Sequence, residues 1–559
     1  MTLAGAPGRP AAQRRAAVAR YGILGQRALP ARFSTVKGQQ TVSADDSTST
    51  AASSPAPAGT EAEVSRSDVL AEIRQQRIAK VHQLRDMGLD PYPPDAVPRI
   101  PVAEARALPD GEPASIAGRI MLLRPMGNLT FGQLHDESGD MQFMISRRDL
   151  PEDHQPGYKA LVKLLDIGDF VAIEGHRLQT KTGELSVGAR KVTILTKSLR
   201  PLPDKHSGLT NEEALLRKRY LDILLHRDIQ EMIYAKARFW RSMRRFLEDH
   251  DFTEVQTPAL EFTTGGADAR PFIAHHNYLD TDVCLRISMG ELWQKRLLVG
   301  GLERTFEIGR QFRNENQSRE HLNDYDQMEF YWAYANYETG MQLVEELFRH
   351  VISETFGTLR FGLHRNGREY HVDLGAEWAR YDYYDTISQI LGLDVQSAGT
   401  DKLVSIIDEL GIVVDREGLN RARAMDALWK HCRRSLAGPG FLVNEPLEVS
   451  PLAKSRPDRP GIVERFHVIV AGSELGNGYS ELNDPLEQAR RFEEQRQMRA
   501  AGDAEAQMPD PEFVEALEYG MPPACGFGLS ERVFAFFMDK SVRECQIFPL
   551  LRPLPSDQG

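Results

Sequence analysis

Cysteine is scarce in this chain: Cys284, Cys432, Cys525 and Cys545 are the four thiols in 559 residues, far apart, with no CxxC pair and no dense histidine spacing. That excludes a disulfide framework and a structural zinc site and leaves buried free thiols as the expectation. No apolar run approaches the roughly 18 residues that a membrane-spanning helix needs, which argues against integral membrane placement. Positive charge is short too: 68 Lys and Arg against 80 Asp and Glu give a net charge of −12. Such a balance argues against nucleic acid covering a large part of the surface, because phosphate contacts dominate that kind of binding. Acidic residues are in turn missing from residues 1–44, which hold Arg9, Arg14, Arg15, Arg20, Arg27, Arg32 and Lys37. The rest of the chain is seven charges more negative than the total, so any polyanion surface must be a local patch. The length allows two or three domains and a substantial core.

The Arg-rich, acid-free, Ala-rich beginning has the composition of an organellar transit peptide, and the Ser/Thr/Ala/Pro-rich residues 41–61 continue it as a linker. Residues 1–66 are therefore expected to be a targeting segment and linker, and the protein mitochondrial, with plastid or cytoplasm as alternatives. A merely disordered basic tail is the competing reading.

Residues 67–112 begin with a helix: from Asp68 to Met87, Val69, Leu70, Ile73, Ile78, Val81 and Leu84 recur at helical spacing, and Gly88 and Pro91 end it. Its other face is rich in Arg and Lys, which suits either solvent or a polyanion. Residues 113–198 break into the β-rich runs IAGRIMLL, LTFGQLHD, MQFMISR, FVAIEGHRL and ELSVGARKVTILT, separated by Gly, Asn and Asp turns. Five strands of this length fit an OB-fold barrel, a common platform for single-stranded nucleic acid. Phe131 and Gln142 fall on neighbouring strands, supplying a stacking face and an amide that can read a base edge. Residues 199–230, with Pro201, Pro203 and Gly208 followed by the helical EEALLRKRYLDIL, read as a hinge. Residues 231–559 read as an α+β domain, with 395–440 as an inserted helical segment carrying few site-like residues.

Residues 305–337 carry the strongest signal, a strand, a polar loop and a second strand. Alternation puts Phe306, Ile308 and Phe312 on one side and Glu307, Gln311, Arg313 and Glu315 on the other. In the second strand Met328, Phe330, Trp332 and Tyr334 share the packed face, while Glu329 and Tyr331 join the first strand's charges. A hairpin with a packed back and an ionic front suits a ligand carrying both an anionic group and an ammonium.

The residues FRNE, a loop and MEFY resemble motif 2 of the class II aminoacyl-tRNA synthetases, with wording most similar to the lysine-specific enzymes. The resemblance runs from about Ser67 to Pro553 and includes KTGELSV (181–187), LTKSLRPLPDK (195–205), GGADARPFIAHHN (265–277), EVSPLAK (448–454), GNGYSELNDP (476–485) and ALEYGMPP (516–523). It implies an OB-fold anticodon domain and a catalytic domain with an antiparallel sheet flanked by helices. It also implies activation of L-lysine by ATP and transfer to tRNA(Lys). FTEVQTP (252–258) resembles motif 1, which implies a homodimer with Pro258 at the interface.

By the same resemblance, Arg313 bridges the amino-acid carboxylate and the α-phosphate. Glu315, His321 and Tyr325 surround ATP, and Arg532, after CGFGLSE, stacks on adenine. Glu481 pairs with the lysine ammonium, Tyr479 covers the alkyl chain, Asn477 shares their face, and Tyr331 adds a hydroxyl. Glu291 stands near the α-amino group with the backbone of Gly265 and Gly266. Arg119, Phe131, Gln142 and Glu184 match anticodon-contacting positions. Magnesium is held in the family by two carboxylates; Glu474 matches one, and His467 occupies the other position.

The chain departs from the family in three places: Glu320 replaces a usual arginine in EHLNDY, Gly528 lies four residues before Arg532 instead of three, and GELWQKR, with one residue inserted, stands where the family reads PELYLKR. Alternatives on the same scaffold are an aspartate or asparagine synthetase, which would need Arg or Lys at Glu481, and a lysine-modifying paralogue, which would lack the barrel. A non-catalytic RNA-binding paralogue would have no use for Arg313, Glu315, Glu474 and Arg532.

Overall fold

Short β-branched and aromatic runs cut by Gly and Asp turns close on themselves in the N-terminal half. The computed structural model of the chain describes residues 61–203, 211–263, 265–267, 269–365, 367–416, 419–500 and 510–554, and the expected targeting segment lies outside the described residues apart from its last few positions. The described residues fall into two compact units that divide between Leu221 and Asp222.

In the first unit β1 (Pro113–Met126), β2 (Leu129–Asp136), β3 (Gly139–Ser146), β4 (Phe170–Gln179) and β5 (Leu185–Thr196) form a closed barrel in the order β1-β2-β3-β5-β4. Period-two alternation sends Ile116, Ile120, Leu134, Phe143, Ile145, Val171 and Val187 to its core. A helix, Tyr158–Leu164, lies between β3 and β4, with the Tyr158 hydroxyl 2.7 Å from Thr130 Oγ1 inside the barrel. It is not foreseen in the sequence because two turns are too short for helical periodicity to emerge.

The N-terminal helix α1 runs Glu61–Asp86 and stops at Gly88, whose φ of 74° is the left-handed conformation that ends helices. Val81 and Leu84 are buried as expected, whereas Val69 and Leu70 are exposed. Its basic face is not all free: Arg77 is buried and donates to the carbonyls of Ile167, Ser198 and Arg200. The expected hinge helix is two helices, Glu212–Arg217 and Arg219–Leu225, broken at Lys218.

The second unit is built on β6 (Thr253–Glu254), β7 (Arg304–Phe312), β8 (Asp324–Ala333), β9 (Ala379–Asp382), β10 (Gly440–Val443), β11 (Arg465–Val470), β12 (Ser473–Ser480) and β13 (Ala524–Ser530). Their order is β9-β10-β11-β12-β13-β8-β7-β6, antiparallel except for the parallel pairs β9/β10 and β6/β7 at the two edges. The long helices α2 (Arg227–Asp249) and α3 (Tyr337–Phe356) share the core behind the hairpin with Phe306, Met328 and Phe330. The register pairs Glu307 with Glu329 and Thr305 with Tyr331 on the opposite face.

Two hairpin expectations need correction. The first strand stops at Phe312, so Arg313 and Glu315 lie in the loop. The second stops at Ala333; Tyr334 is 72% exposed with a φ of 62°, because the chain turns there toward Asn336, whose side chain caps α3. Cys432, Cys525 and Cys545 are buried and free as expected, but Cys284 is only half-buried. Within 395–440, α4 (Thr400–Glu409) and α5 (Arg421–Cys432) build a small core with Tyr383 and Ile387 onto Leu442 and Ile469 of the sheet.

Candidate active site

The open face of β8, β12 and β13 carries a cavity of about 470 Å³. Every residue assigned to lysine or ATP lines it except Gly265, which packs its Cα side against Leu292. Alternation explains the convergence: Asn477 and Tyr479 on β12 and Glu481 just beyond it share one face with Tyr331 on β8. Gly526 on β13 faces them, and a Cβ there would lie 2.2 Å from Glu481 Oε1 and 2.7 Å from the Tyr331 ring. Gly266, at a φ of 84°, is equally close to Glu291. Only glycine leaves these carboxylates room.

At this end three carboxylates are buried together: Glu481 is 1% exposed, Glu291 4% and Glu329 5%. Lys295, wholly buried one helical turn beyond Glu291, forms ion pairs with both Glu291 and Glu481. Burial works against the Lys295 charge, but the two glutamates outweigh it and hold the ammonium above its ordinary range. Burial lifts the Glu481 carboxyl well above the usual carboxylate range; Lys295 opposes this, and Glu291 and Glu329 add to it. Although Lys295 lies against Glu481, the angles leave both Glu481 oxygens without a hydrogen bond.

Glu329 is pushed up to about 7 by burial and by Glu291, although Ser288 and Tyr331 donate to it. The Tyr331 hydroxyl reaches Glu291 Oε2 at 3.1 Å, and the Tyr479 hydroxyl donates to the same oxygen. Sequence reasoning placed Glu329 on the ionic face without giving it a role and passed over Lys295, whose i, i+4 spacing from Glu291 was the available signal.

At the other end Arg313 lies 5.7 Å over the Tyr325 ring, with its Nε 3.4 Å from the Ile287 carbonyl. Arg532 is the first residue of a short helix, Arg532–Phe537, whose Val533, Phe536 and Phe537 pack inward. Its Nη1 lies 3.6 Å from Glu320, so the unusual loop residue faces the arginine with a carboxylate. His321 bonds Ser318 Oγ at 2.8 Å, and burial, then Arg532, depress its pKa. It is therefore a neutral hydrogen-bonding group near neutral pH, and not the cation that phosphate binding would favour. Glu315 lines the cavity from the loop, its carbonyl held by Asn323 Nδ2 at 2.6 Å.

Glu474 departs most from its expected role. Its Oε1 accepts from Trp429 Nε1 at 2.7 Å, and its Oε2 lies 2.5 Å from Arg433 Nη1. Burial opposes its ionisation, but His467 and Arg433 outweigh that and hold it well below the carboxylate range. His467 Nε2 is 3.1 Å from Glu445 Oε2. The donor set of a magnesium seat, two carboxylates with free oxygens, is thus not what these residues present. Trp429 and Arg433 come from α5 and the turn after it, so segment 395–440, read as poor in site residues, supplies the two side chains that hold Glu474 from behind the cavity lining.

On the barrel, Phe131, Gln133, Gln142 and Met144 share the outward face of β2 and β3. Ser186 Oγ donates to Gln142 Oε1 at 2.7 Å, which orients the amide. Glu184 is exposed in the turn before β5. Arg119 is more committed than expected: its Nη1 donates to the Gly168 carbonyl at 3.0 Å, and its guanidinium lies 4.2 Å over the Phe170 ring.

A family model described as tRNA synthetases class II (D, K and N) matches residues 211–552, and one described as an OB-fold nucleic acid binding domain matches residues 114–195. Among similar proteins, a lysine–tRNA ligase of Thermotoga maritima is 38% identical over 496 residues, covering 87% of this chain and 97% of the relative. A lysine–tRNA ligase of Roseiflexus castenholzii is 41% identical over 87% of this chain and 99% of its own length. One from Moorella thermoacetica is 39% identical over 85% of this chain and 97% of its own. With an OB barrel, an antiparallel sheet carrying the hairpin arginine, and matches that span nearly all of both, the chain belongs to the class II tRNA synthetases.

Proposed function

We infer that this chain is a lysine–tRNA ligase. It activates L-lysine with ATP to lysyl-adenylate and passes lysine to the 3′ end of tRNA(Lys). The observation that carries the amino-acid identity is the acidity of the pocket: Glu291, Glu329 and Glu481 are buried together, and Lys295 pairs with the first and the last, so carboxyl groups outnumber the buried ammonium. L-Lysine brings two ammonium groups. An aspartate ligand would add a third anion to a site already too negative, and asparagine would bring one cation too few.

The substrate carboxylate attacks the α-phosphorus of ATP, releasing pyrophosphate, and the terminal ribose hydroxyl of the tRNA then displaces AMP. No general acid or base is required. The residues must hold two anions in line and neutralise charge that grows on the phosphoryl oxygens. Arg313, which lines the cavity beside Tyr325, suits the bridge between carboxylate and α-phosphate, and Arg532 and Tyr325 suit the adenine. Magnesium is the ion expected with ATP. Because the donor set around Glu474 does not match a two-carboxylate seat, no step is assigned to it here.

Pyrophosphate exchange measured with each of the twenty amino acids tests the reading. Exchange should depend on lysine and should fall by about a hundredfold to a thousandfold in Arg313→Ala, the scale expected for loss of a transition-state charge donor. Exchange driven by aspartate or asparagine would overturn the assignment.

Three further parts belong to the same proposal. The anticodon would be read on the barrel's outward face around Phe131 and Gln142. Homodimerisation is supported by exposed Leu260, Phe262, Ile273, Tyr278 and Leu279 on and beside a three-stranded sheet of Leu260–Glu261, Ile273–His276 and Thr281–Leu285, apolar side chains suited to a second copy of the chain. An organelle, the mitochondrion first, is supported by the composition of residues 1–44.

A further inference from the structure

Both oxygens of Glu474 are already engaged, one by an indole N–H and the other by a guanidinium. The Arg433 contact is ionic in distance, without hydrogen-bond angles, and its Nη1 is buried with no other partner. Arg532 Nη2 donates to the backbone carbonyl of the same residue, so Glu474 ties two arginines to one point of the cavity wall. The second family carboxylate is replaced by His467, which is paired with Glu445. A hard divalent ion seeks oxygen ligands with free lone pairs, and imidazole nitrogen is a poor substitute. Guanidinium, in contrast, matches phosphate oxygens in charge and geometry.

We propose that Glu474 is a positioning residue for Arg433 and Arg532 and not a metal ligand, so that protein-held guanidinium charge answers the terminal phosphates of ATP. The enzyme then binds no divalent ion beyond the one that the nucleotide carries. This rests on the ATP reading above. Charge balance is consistent with it: Arg433, Arg465 and Arg532 already match the carboxylates of Glu474, Glu445 and Glu320 one for one before any ion arrives. Segment 395–440 gains a purpose, since it delivers both Trp429 and Arg433.

The test counts manganese by electron paramagnetic resonance on the full-length enzyme with lysine and α,β-methylene-ATP. One ion bound per nucleotide is expected, and two or more would overturn the proposal. Failure of the nucleotide to bind at all would instead sink the ATP reading, a separate outcome. Glu474→Gln supplies the second arm. It keeps an acceptor for one partner, so the ion count should stay at one while the KM for ATP rises about tenfold with a smaller change in kcat. Loss of an ion, or a raised manganese requirement at unchanged ATP KM, would restore Glu474 as a ligand. The wild-type count stands whether or not the variant folds.

Discussion

Among the described residues two lysines are wholly buried between pairs of carboxylates, and their surroundings balance differently. In the barrel unit Lys197 sits between Asp166 and Asp169, at 2.6 and 2.5 Å, and Asp166 is also held by Lys80 at 2.6 Å. Two cations face two anions, and the backbone N–H groups of Asp166 and Ser198 donate to Asp169. Burial pushes the Asp166 carboxyl upward, yet the two lysines outweigh it and keep it below its ordinary range. Lys295 pairs with Glu291 and Glu481, Glu329 is buried beside them, and Glu329 and Glu481 are shifted upward. A buried ion cluster that closes its own charge is a structural joint, whereas one left in deficit is poised for a ligand that completes it.

The comparison can be broken at several points. Glu481→Gln should raise the KM for lysine by about a hundredfold or more, the scale of one lost buried ion pair, while the KM for ATP stays close to wild type. Unchanged lysine affinity, read by pyrophosphate exchange, would contradict the pocket assignment. Lys197→Met should cost about 3–5 kcal/mol of stability in the barrel, because Asp169 loses its buried partner. Urea unfolding would measure it, and lysine-dependent exchange by the folded protein should persist; a matching loss of exchange at full stability would dissolve the distinction between the two clusters.

Protonation offers a finer probe. With its carboxyl raised to about 7, Glu329 holds a proton that an incoming ammonium must displace, so lysine affinity is full above that point and is lost as pH falls through it. The effect should approach tenfold per pH unit on the acid side. A lysine KM that is flat between about pH 6 and about pH 8 would remove the charge deficit from the argument. Stability runs the opposite way for this group: a carboxyl that binds its proton more tightly when folded costs stability as pH rises from its ordinary range toward 7. The smallest change is expected on the barrel, where Phe131→Ala should weaken tRNA binding about tenfold and leave exchange untouched. Equal tRNA affinity would move the recognition surface elsewhere.

How much of this was legible depended on distance along the chain. The barrel strands and the hairpin faces follow from period-two alternation, which needs only neighbours. Strand ends did not: Tyr334 continues the apolar pattern, yet the turn toward the Asn336 cap sends it to solvent. The convergence of Tyr331, Asn477, Tyr479 and Glu481 was visible through family motifs together with alternation. The clamp on Glu474 was not, because Trp429 and Arg433 lie on an ordinary amphipathic helix and the turn after it, and nothing local hints at a carboxylate 45 residues downstream of the tryptophan. Lys295 was hidden for a different reason. A lysine four residues after a glutamate reads as an ordinary surface pair, and only burial reveals otherwise.

The small hydrophobic core that seats α4 and α5 also fixes where the Trp429 indole and the Arg433 side chain stand. A loosening substitution at Leu403 or Leu428, remote from any substrate, would therefore register first as poorer nucleotide affinity and only later as a lower melting point. Anyone trimming this chain to a minimal catalyst should leave those two helices in place.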